Sequence, residues 1–241
     1  MILKENETLT KVNDDISLIQ NKNGLTFGTD ALLLAAFIRK QSRSTAAEFG
    51  GGSGIISLLC AKRKKFNKIY CVEIQAEYFD IIGRNVELNN LSEYIEPVCT
   101  DVRDLNIEAD VVFTNPPYLK LNSGIKNQHD DKYIARHEVY GDIESFCKTA
   151  AKILKFGGLF YIVYRPDRMV DLLLAMRHNN IEPKRMVIVY NDVNHIPCLI
   201  LVEGKKGSAP SLFVPKPFYI NDMEYIYTHG EFPESFLIKN L

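Results

Sequence analysis

Apolar runs and helix-period stretches alternate along the chain from residue 45 onward. Predicted strands lie at residues 45–49, 68–72, 95–99, 110–114, 158–164, 186–190 and 198–203. Stretches with apolar residues on one helical face lie between them, at residues 55–62, 76–89, 143–154 and 167–179. Continuous apolar runs are typical of parallel strands covered on both faces. This order therefore predicts a doubly wound α/β fold.

The last two predicted strands follow each other without a helix, and residues 191–196 join them as a turn. Two strands connected in this way pair antiparallel. The chain is therefore expected to form a mostly parallel seven-stranded sheet with an antiparallel edge hairpin.

A short lead-in precedes this unit. Residues 16–20, a turn at 21–24, and then Leu25 with Thr26 have the pattern of a small hairpin. Asp30 is a candidate cap for a helix that ends at Ile38. The residues of that helix expected to face the core are Leu33, Leu34 and Phe37. The chain thus divides into a lead-in at 1–44, a main domain at 45–204 and a tail packed on it at 205–241.

Composition adds limits on function. Of 241 residues, 46% are hydrophobic and 24% charged, which is ordinary for one globular domain. The net charge of −1 carries no basic excess, so any contact with nucleic acid has to come from a local patch. The polar start lacks a signal peptide's apolar core, and no apolar run reaches membrane-spanning length. We expect a cytoplasmic protein without a membrane segment.

Cysteine and histidine spacing predicts no metal. The cysteines form no CxxC pair, and the histidines show no HxxxH or HExxH spacing. Buried free thiols are the simpler interpretation of scattered cysteines in apolar surroundings. A basic run at the end of one predicted helix, Lys62-Arg63-Lys64-Lys65, has two interpretations: favourable interaction with the helix dipole, or phosphate contact.

A glycine loop, Gly50-Gly51-Gly52-Ser53-Gly54, joins the strand at 45–49 to its helix. Glycines at 50, 52 and 54 allow positive φ and let a ligand approach the backbone. A dinucleotide fingerprint requires glycine or alanine where Ile55 stands. The spacing therefore favours a nucleoside ligand without a pyrophosphate.

Two carboxylates follow the next two strands. Glu73 ends its strand about twenty residues after the loop, where a carboxylate can accept both ribose hydroxyls. Asp101 comes after the strand at 95–99 and can accept from an adenine amino group, while Val102 packs on the ring. For Asp101, capping of a local turn remains an alternative.

Asn115-Pro116-Pro117-Tyr118 directly follows the strand at 110–114. The prolines fix φ and remove two donors, so the segment forms a stiff turn at the ligand-binding edge of the sheet. The Asn115 side-chain oxygen and the Pro116 carbonyl offer two acceptors for the two hydrogens of an NH2 group. Tyr118 offers a stacking face. These four residues are the candidate catalytic set.

With these residues in place, the chain resembles the class I, Rossmann-like methyltransferases that carry Asn-Pro-Pro-Tyr. More narrowly, it is similar to bacterial tRNA (adenine-N6) methyltransferases that act beside the anticodon of a valine tRNA. Further segments carry the resemblance: Phe27-Gly28-Thr29-Asp30-Ala31, Ala135-Arg136-His137-Glu138 and Arg165-Pro166-Asp167-Arg168.

The resemblance implies S-adenosylmethionine as cofactor and tRNA as substrate. It places the cofactor against the glycine loop, Thr29, Glu73 and Asp101. Glu48 stands where aspartate is commoner in the class, and as a charged group it is expected near the methionine amine. The candidate cofactor set is Thr29, Glu48, Gly50, Gly52, Gly54, Glu73, Asp101, Val102 and Asn115.

RNA contact is expected from basic residues around the pocket mouth: Lys120, Lys126, Lys132 and Arg136. His137, beside them, either touches phosphate or orders its own loop. The alternatives kept open are N5-methylation of a protein glutamine, amino-group methylation of DNA or rRNA, and a non-enzymatic nucleotide-binding RNA scaffold. A glutamine side chain also presents a planar NH2, but the enzymes that methylate it usually carry a helical domain before the glycine loop. Methylation of DNA would be favoured by an inserted target-recognition domain, and the sequence shows no such insertion.

Overall fold

The structure is a computed structural model that describes residues 3–22, 24, 27–116, 143–233 and 236. Its strands are β1 Glu7–Lys11, β2 Ser17–Asn21, β3 Thr45–Phe49, β4 Lys68–Glu73, β5 Ile95–Cys99, β6 Ala109–Thr114, β7 Leu154–Tyr164, β8 Ile181–Tyr190, β9 Pro197–Lys206 and β10 Phe218–Tyr219. Its helices are α1 Thr29–Phe37, α2 Ile55–Lys62, α3 Ala76–Leu88, α4 Ile143–Ile153, α5 Met169–His178 and α6 Glu224–His229.

Among the described residues, the main sheet has eight strands in the order β10-β8-β9-β7-β6-β3-β4-β5. β9 runs antiparallel to both of its neighbours, and all other pairs in this sheet are parallel. The expected doubly wound, mostly parallel fold with an antiparallel hairpin is confirmed. One strand of this sheet was not predicted. β10 pairs with β8 over two residues, and a strand of that length leaves no periodic signal in the sequence.

The amino-terminal hairpin that the structure describes joins β2 to an upstream strand, whereas the predicted second strand, Leu25 with Thr26, lies outside the described residues. A turn does form after β2, where Gly24 N–H donates to the carbonyl of Asn21 across 3.2 Å. β2, however, pairs antiparallel with the upstream strand β1, from Glu7↔Asn21 to Lys11↔Ser17. Most side chains of β1 are exposed or half-buried. The strand therefore has no apolar run from which the sequence could predict it.

Both faces of the sheet are covered, as the apolar runs predicted. Neighbouring residues of one strand enter different cores: Val111 and Phe113 pack with α1 and α2, whereas Val112 packs with α4 and α5. Leu33, Leu34 and Phe37 of α1 are fully or almost fully buried, which confirms the predicted core face of that helix.

Buried Lys65 anchors the carboxyl end of α1. Its ammonium donates to the carbonyl oxygens of Ala35, across 2.7 Å, and Ile38, across 2.5 Å. The last carbonyls of a helix lack internal partners and attract cations. The helix-dipole interpretation of the basic run therefore holds for Lys65, but the helix concerned is α1 and not the one that the run terminates.

A second buried charge cluster ties α1 to the hairpin β8–β9. Arg185 donates to Glu203 across 2.8 Å and to the carbonyl of Phe37 across 2.9 Å, and its guanidinium lies 4.1 Å from the centre of the Phe37 ring. Arg39 reaches the other oxygen of Glu203 across 2.6 Å. Glu203 thus links the sheet to the end of α1 and helps to fix the position of that helix.

Within the described ranges, the structure has no helix that is both long and apolar enough to cross a membrane.

Candidate active site

The candidate site lies where the strand order reverses. β3 pairs with β4 on one side and with β6 on the other, and Phe49 is directly opposite Thr114. The Thr114 hydroxyl donates to the carbonyl of Phe49 across 2.9 Å, which joins the two strand ends. In open α/β sheets ligands bind in the crevice at such a switch point. The glycine loop leaves β3 here, and Asn115-Pro116 leaves β6.

Hydrogen bonds to the end of β4 hold the glycine loop, and the space next to Gly50 and Gly52 is open. Gly51 N–H donates to the carbonyl of Val72 across 2.9 Å, and Gly52 N–H donates to the Glu73 carboxylate across 3.0 Å. Gly50 and Gly52 have φ of 69° and 55°, a region that favours glycine. A Cβ built on either one meets no atom within 4 Å among the described residues. Open space for a ligand therefore lies against the loop backbone.

Glu73 connects the end of β4 to the loop. Its side chain is nearly buried, and its second oxygen accepts the Gln75 N–H across 2.9 Å. Each carboxylate oxygen can accept more than one hydrogen bond. These backbone contacts preorganise the carboxylate and leave acceptor capacity for a ligand.

Asp101 follows β5 and accepts the Arg103 N–H across 2.8 Å, so it caps the short 3₁₀ turn Val102–Asp104. The Arg103 guanidinium also pairs with it, and this hydrogen-bonded cation lowers the pKa of the Asp101 carboxyl. The turn-capping alternative is therefore observed. Val102 is 9% exposed and packs in the core beside α4, and its contact with an adenine ring stays a prediction.

Glu48 lies beneath the loop and is fully buried within β3. One of its oxygens accepts from the backbone N–H of Ser57 across 3.1 Å and from the Ser57 hydroxyl, and it also faces the Cys71 thiol at 3.4 Å. Burial raises the pKa of Glu48 from 4.5 to about 7, although the Ser57 and Cys71 contacts oppose this. The carboxyl thus links β3, α2 and β4 under the loop, and its direct contact with a cofactor stays a prediction.

Glu48 makes the stability of the fold depend on pH. Between pH 4.5 and 7 the folded protein retains a proton that the unfolded chain releases, so this group's contribution to stability falls as pH rises. From pH 4.5 to 8, the free energy of unfolding of wild type is expected to fall by on the order of 3 kcal/mol more than that of Glu48→Gln. Urea unfolding at a series of pH values measures both. Exposed Glu87→Gln on α3 is the control and should follow wild type. Parallel wild-type and Glu48→Gln curves would contradict this.

Asn115 and Asp30 meet at the crevice. The side-chain amide of Asn115 donates to one oxygen of Asp30 across 2.9 Å. The other oxygen of Asp30 accepts the N–H of Ala31 across 2.9 Å. The prediction of Asp30 as the helix cap is wrong, since α1 begins at Thr29 with Gly28 as its N-cap. Its carboxylate instead accepts a hydrogen bond from a residue 85 positions away, a contact that no periodicity or motif spacing predicts.

The remaining predicted site residues divide into two groups. Thr29 and Pro116 lie within the described chain, beside Asp30 and Asn115 respectively, so the fold brings the start of α1 to the end of β6. The others lie outside the described residues: Pro117, Tyr118, Lys120, Lys126, Lys132, Arg136 and His137.

Comparison with known proteins identifies the class. The family model for the methyltransferase small domain matches residues 21–184, more than half of the chain. The chain therefore belongs to the methyltransferase small domain family and is a methyltransferase.

Its relatives are narrower in kind. The chain is 31% identical over 218 residues to the tRNA1(Val) (adenine(37)-N6)-methyltransferase of Dyadobacter fermentans, covering 89% of this chain and 90% of that protein. It is 25% identical over 222 residues to the protein of the same name from Phocaeicola vulgatus, with 90% and 94% covered.

Solved structures show the same fold. A protein from Agrobacterium tumefaciens described as a predicted O-methyltransferase has a TM-score of 0.66 and 20% identity, covering 83% of this chain and 96% of that one. TYW2 of M. jannaschii, solved in complex with AdoMet, has a TM-score of 0.58 and 16% identity, covering 85% and 88%. The expected class I architecture is therefore confirmed.

Proposed function

We propose that this methyltransferase transfers a methyl group from S-adenosylmethionine to the N6 amino group of an adenine in tRNA, the anticodon-loop adenine of a valine tRNA. One observation carries the proposal. The open glycine loop with Glu73 and the Asn115-Pro116 turn flank the same switch-point crevice. A nucleoside cofactor and a planar amino group can therefore meet there.

The cofactor side fits the residues present. Gly50 and Gly52 have no Cβ and border open space. The amino-acid end of S-adenosylmethionine can therefore approach the loop backbone closely. Glu73 is held by the Gly52 and Gln75 amides, and its remaining acceptor capacity supports a role in binding ribose hydroxyls. The bound cofactor supplies an electrophilic methyl group on a sulfonium. Thr29, Asp101 and Val102 border the same edge as candidates for further contacts.

Glu73→Ala is expected to weaken binding of S-adenosylmethionine about 10–100-fold, because it removes a preorganised acceptor worth roughly 1–3 kcal/mol. Titration calorimetry on the purified protein measures this. Glu77→Ala, an exposed carboxylate on α3, is the control and should bind as wild type does. Equal affinity in Glu73→Ala and wild type would remove Glu73 from the site.

The substrate side follows from the chemistry of the amino group. The lone pair of an adenine N6 is delocalised into the ring, so the nitrogen is a poor nucleophile. Acceptors at the Asn115 side-chain oxygen and the Pro116 carbonyl would hold its two hydrogens and turn the lone pair towards the methyl group. Orientation and fixed dipoles then lower the barrier to in-line displacement. The methylated nitrogen is cationic and strongly acidic, and it releases its proton readily without a dedicated base.

The choice of tRNA rests on the relatives, because glutamine and adenine both present a planar NH2 group. The relatives that align over nine-tenths of their own length are named for a tRNA adenine. The target base has to leave its stack before it enters the crevice, which an anticodon loop permits. The expected RNA contacts are Lys120, Lys126, Lys132 and Arg136.

A substrate panel tests the proposal. Purified enzyme with methyl-labelled cofactor is offered bulk tRNA, duplex DNA and release-factor protein side by side. We expect label in tRNA, recovered as N6-methyladenosine. Label in protein or duplex DNA but not in tRNA would overturn the tRNA assignment, and so would the absence of label from all three substrates.

The salt dependence of tRNA binding tests the RNA contacts separately. Each phosphate contact on single-stranded RNA contributes a slope of about −0.7 in log K against log salt. Lys120→Glu combined with Lys126→Glu should reduce that slope and slow methylation while leaving cofactor affinity unchanged. Lys205→Glu, which reverses an exposed charge on β9 where that strand pairs with β7, is the control and should change neither. An unchanged slope in the double variant would remove these lysines from the RNA interface.

A further inference from the structure

Asp30 contacts Asn115 in a way that selects one orientation of its amide. The Asn115 side-chain nitrogen lies 2.9 Å from one carboxylate oxygen of Asp30, and both side chains are half-buried. An ionised carboxylate only accepts hydrogen bonds, so the Asn115 atom that faces it has to be the NH2. The oxygen of the same planar amide then points away from Asp30.

This selection matters because an asparagine amide is nearly symmetric in shape. Rotation by 180° exchanges its oxygen and nitrogen at little steric cost, and it would offer a donor where the proposed substrate amino group needs an acceptor. A charge-assisted hydrogen bond is roughly twice as strong as a neutral one. Asp30 therefore disfavours the flipped amide and keeps the amide oxygen on the side turned away from its own carboxylate.

The surrounding residues hold Asp30 in place. Its second oxygen accepts the Ala31 N–H, which fixes the carboxylate against the first turn of α1. A Cβ on Gly28 would lie 2.7 Å from that same oxygen, so glycine at this position leaves the room that the carboxylate occupies. The backbone of Gly28 has φ of −114°, so the need is for space and not for an unusual conformation.

We propose that Asp30 is a positioning residue for methyl transfer, which acts by fixing the Asn115 amide with its oxygen as the acceptor for the substrate amino group. This rests on the proposed role of Asn115 and applies to any planar NH2 substrate. Asp30 touches neither substrate nor cofactor in this role. The Gly28-Thr29-Asp30 segment and Asn115 thus act together.

A double-mutant cycle on kcat tests this with bulk tRNA as substrate. Asp30→Asn keeps the size of the side chain, but its amide can face Asn115 either way and no longer selects one orientation. We expect kcat to fall about tenfold, the loss of one charge-assisted hydrogen bond. The KM for tRNA, cofactor affinity and melting temperature should stay close to wild type. In an Asn115→Ala background, Asp30→Asn should have no further effect, because the two residues act through one group.

Gly28→Ala should reproduce part of the loss, since its Cβ displaces the Asp30 carboxylate. The contact itself is measured without substrate: the side-chain NH2 signals of Asn115, assigned from Asn115→Ala, should shift in the ¹⁵N spectrum of Asp30→Asn. Wild-type kcat in Asp30→Asn, or an equal loss in both backgrounds, would overturn the role of Asp30 and leave the proposed function intact. An Asn115→Ala enzyme with normal kcat would instead overturn the proposed function and this inference together.

Discussion

Replacing Asn115 by alanine is expected to lower kcat about 10²–10³-fold, the usual cost of losing one preorganised polar group that acts in the transition state. Asn115 lies at the end of β6, beside the crevice but across it from the glycine loop. Its proposed partner is the substrate amino group, so cofactor affinity should hardly change. Single-turnover methylation of tRNA measures the first quantity, and calorimetry with S-adenosylmethionine measures the second.

The matched control is Asn106→Ala, which removes an exposed asparagine from the loop before β6 and should methylate as wild type does. Asn115→Asp is a sharper variant. It retains acceptor oxygens but places a second carboxylate against Asp30, and like charges at hydrogen-bond distance repel. It should therefore also lose most of its turnover. Near-normal methylation by Asn115→Ala would exclude the proposed role of the amide.

Glu203→Ala is expected to destabilise the fold by about 3–5 kcal/mol, because it leaves the buried Arg185 guanidinium without its carboxylate. Glu203 is 2% exposed and Arg185 is 4% exposed, so neither charge can turn to solvent without rearrangement. The loss also releases Arg39, which pairs with the same carboxylate. Urea or thermal unfolding of the purified protein measures the change.

A surface ion pair supplies the control. Asp171 pairs with Arg168 across 2.7 Å, but both side chains are about half exposed. Such pairs contribute about 0–1 kcal/mol, so Asp171→Ala should unfold almost as wild type does. A fall of less than 1 kcal/mol in the unfolding free energy of Glu203→Ala would contradict the expected destabilisation. It would mean that water or a neighbouring acceptor solvates the Arg185 guanidinium in the variant. Arg185 also donates to the carbonyl of Phe37, so the cluster contacts the end of the helix that carries Asp30.

The sequence by itself determined the order of strands and helices in the main domain, the glycine loop after β3 and the position of Asn115-Pro116 directly after β6. Each is a local signal: periodicity within a few residues, or motif spacing directly after a strand. The parallel sheet then brings the two motifs to one edge, because carboxyl ends of parallel strands meet there. The sequence did not predict β1, because that strand is largely exposed, or β10, because it has only two residues.

Only the tertiary structure decided what the charged side chains touch. Asp30 could cap its own helix or contact a residue distant in the chain, and the packing of α1 against the sheet brought it to Asn115. Lys65 belongs to a run that would suit solvent or phosphate, yet it is buried against carbonyls of another helix. Glu48 contacts Ser57 and Cys71, partners that the sequence does not specify, and its contact with a ligand stays a prediction. These contacts join residues distant in the chain, and no local pattern encodes which distant partner a side chain will meet.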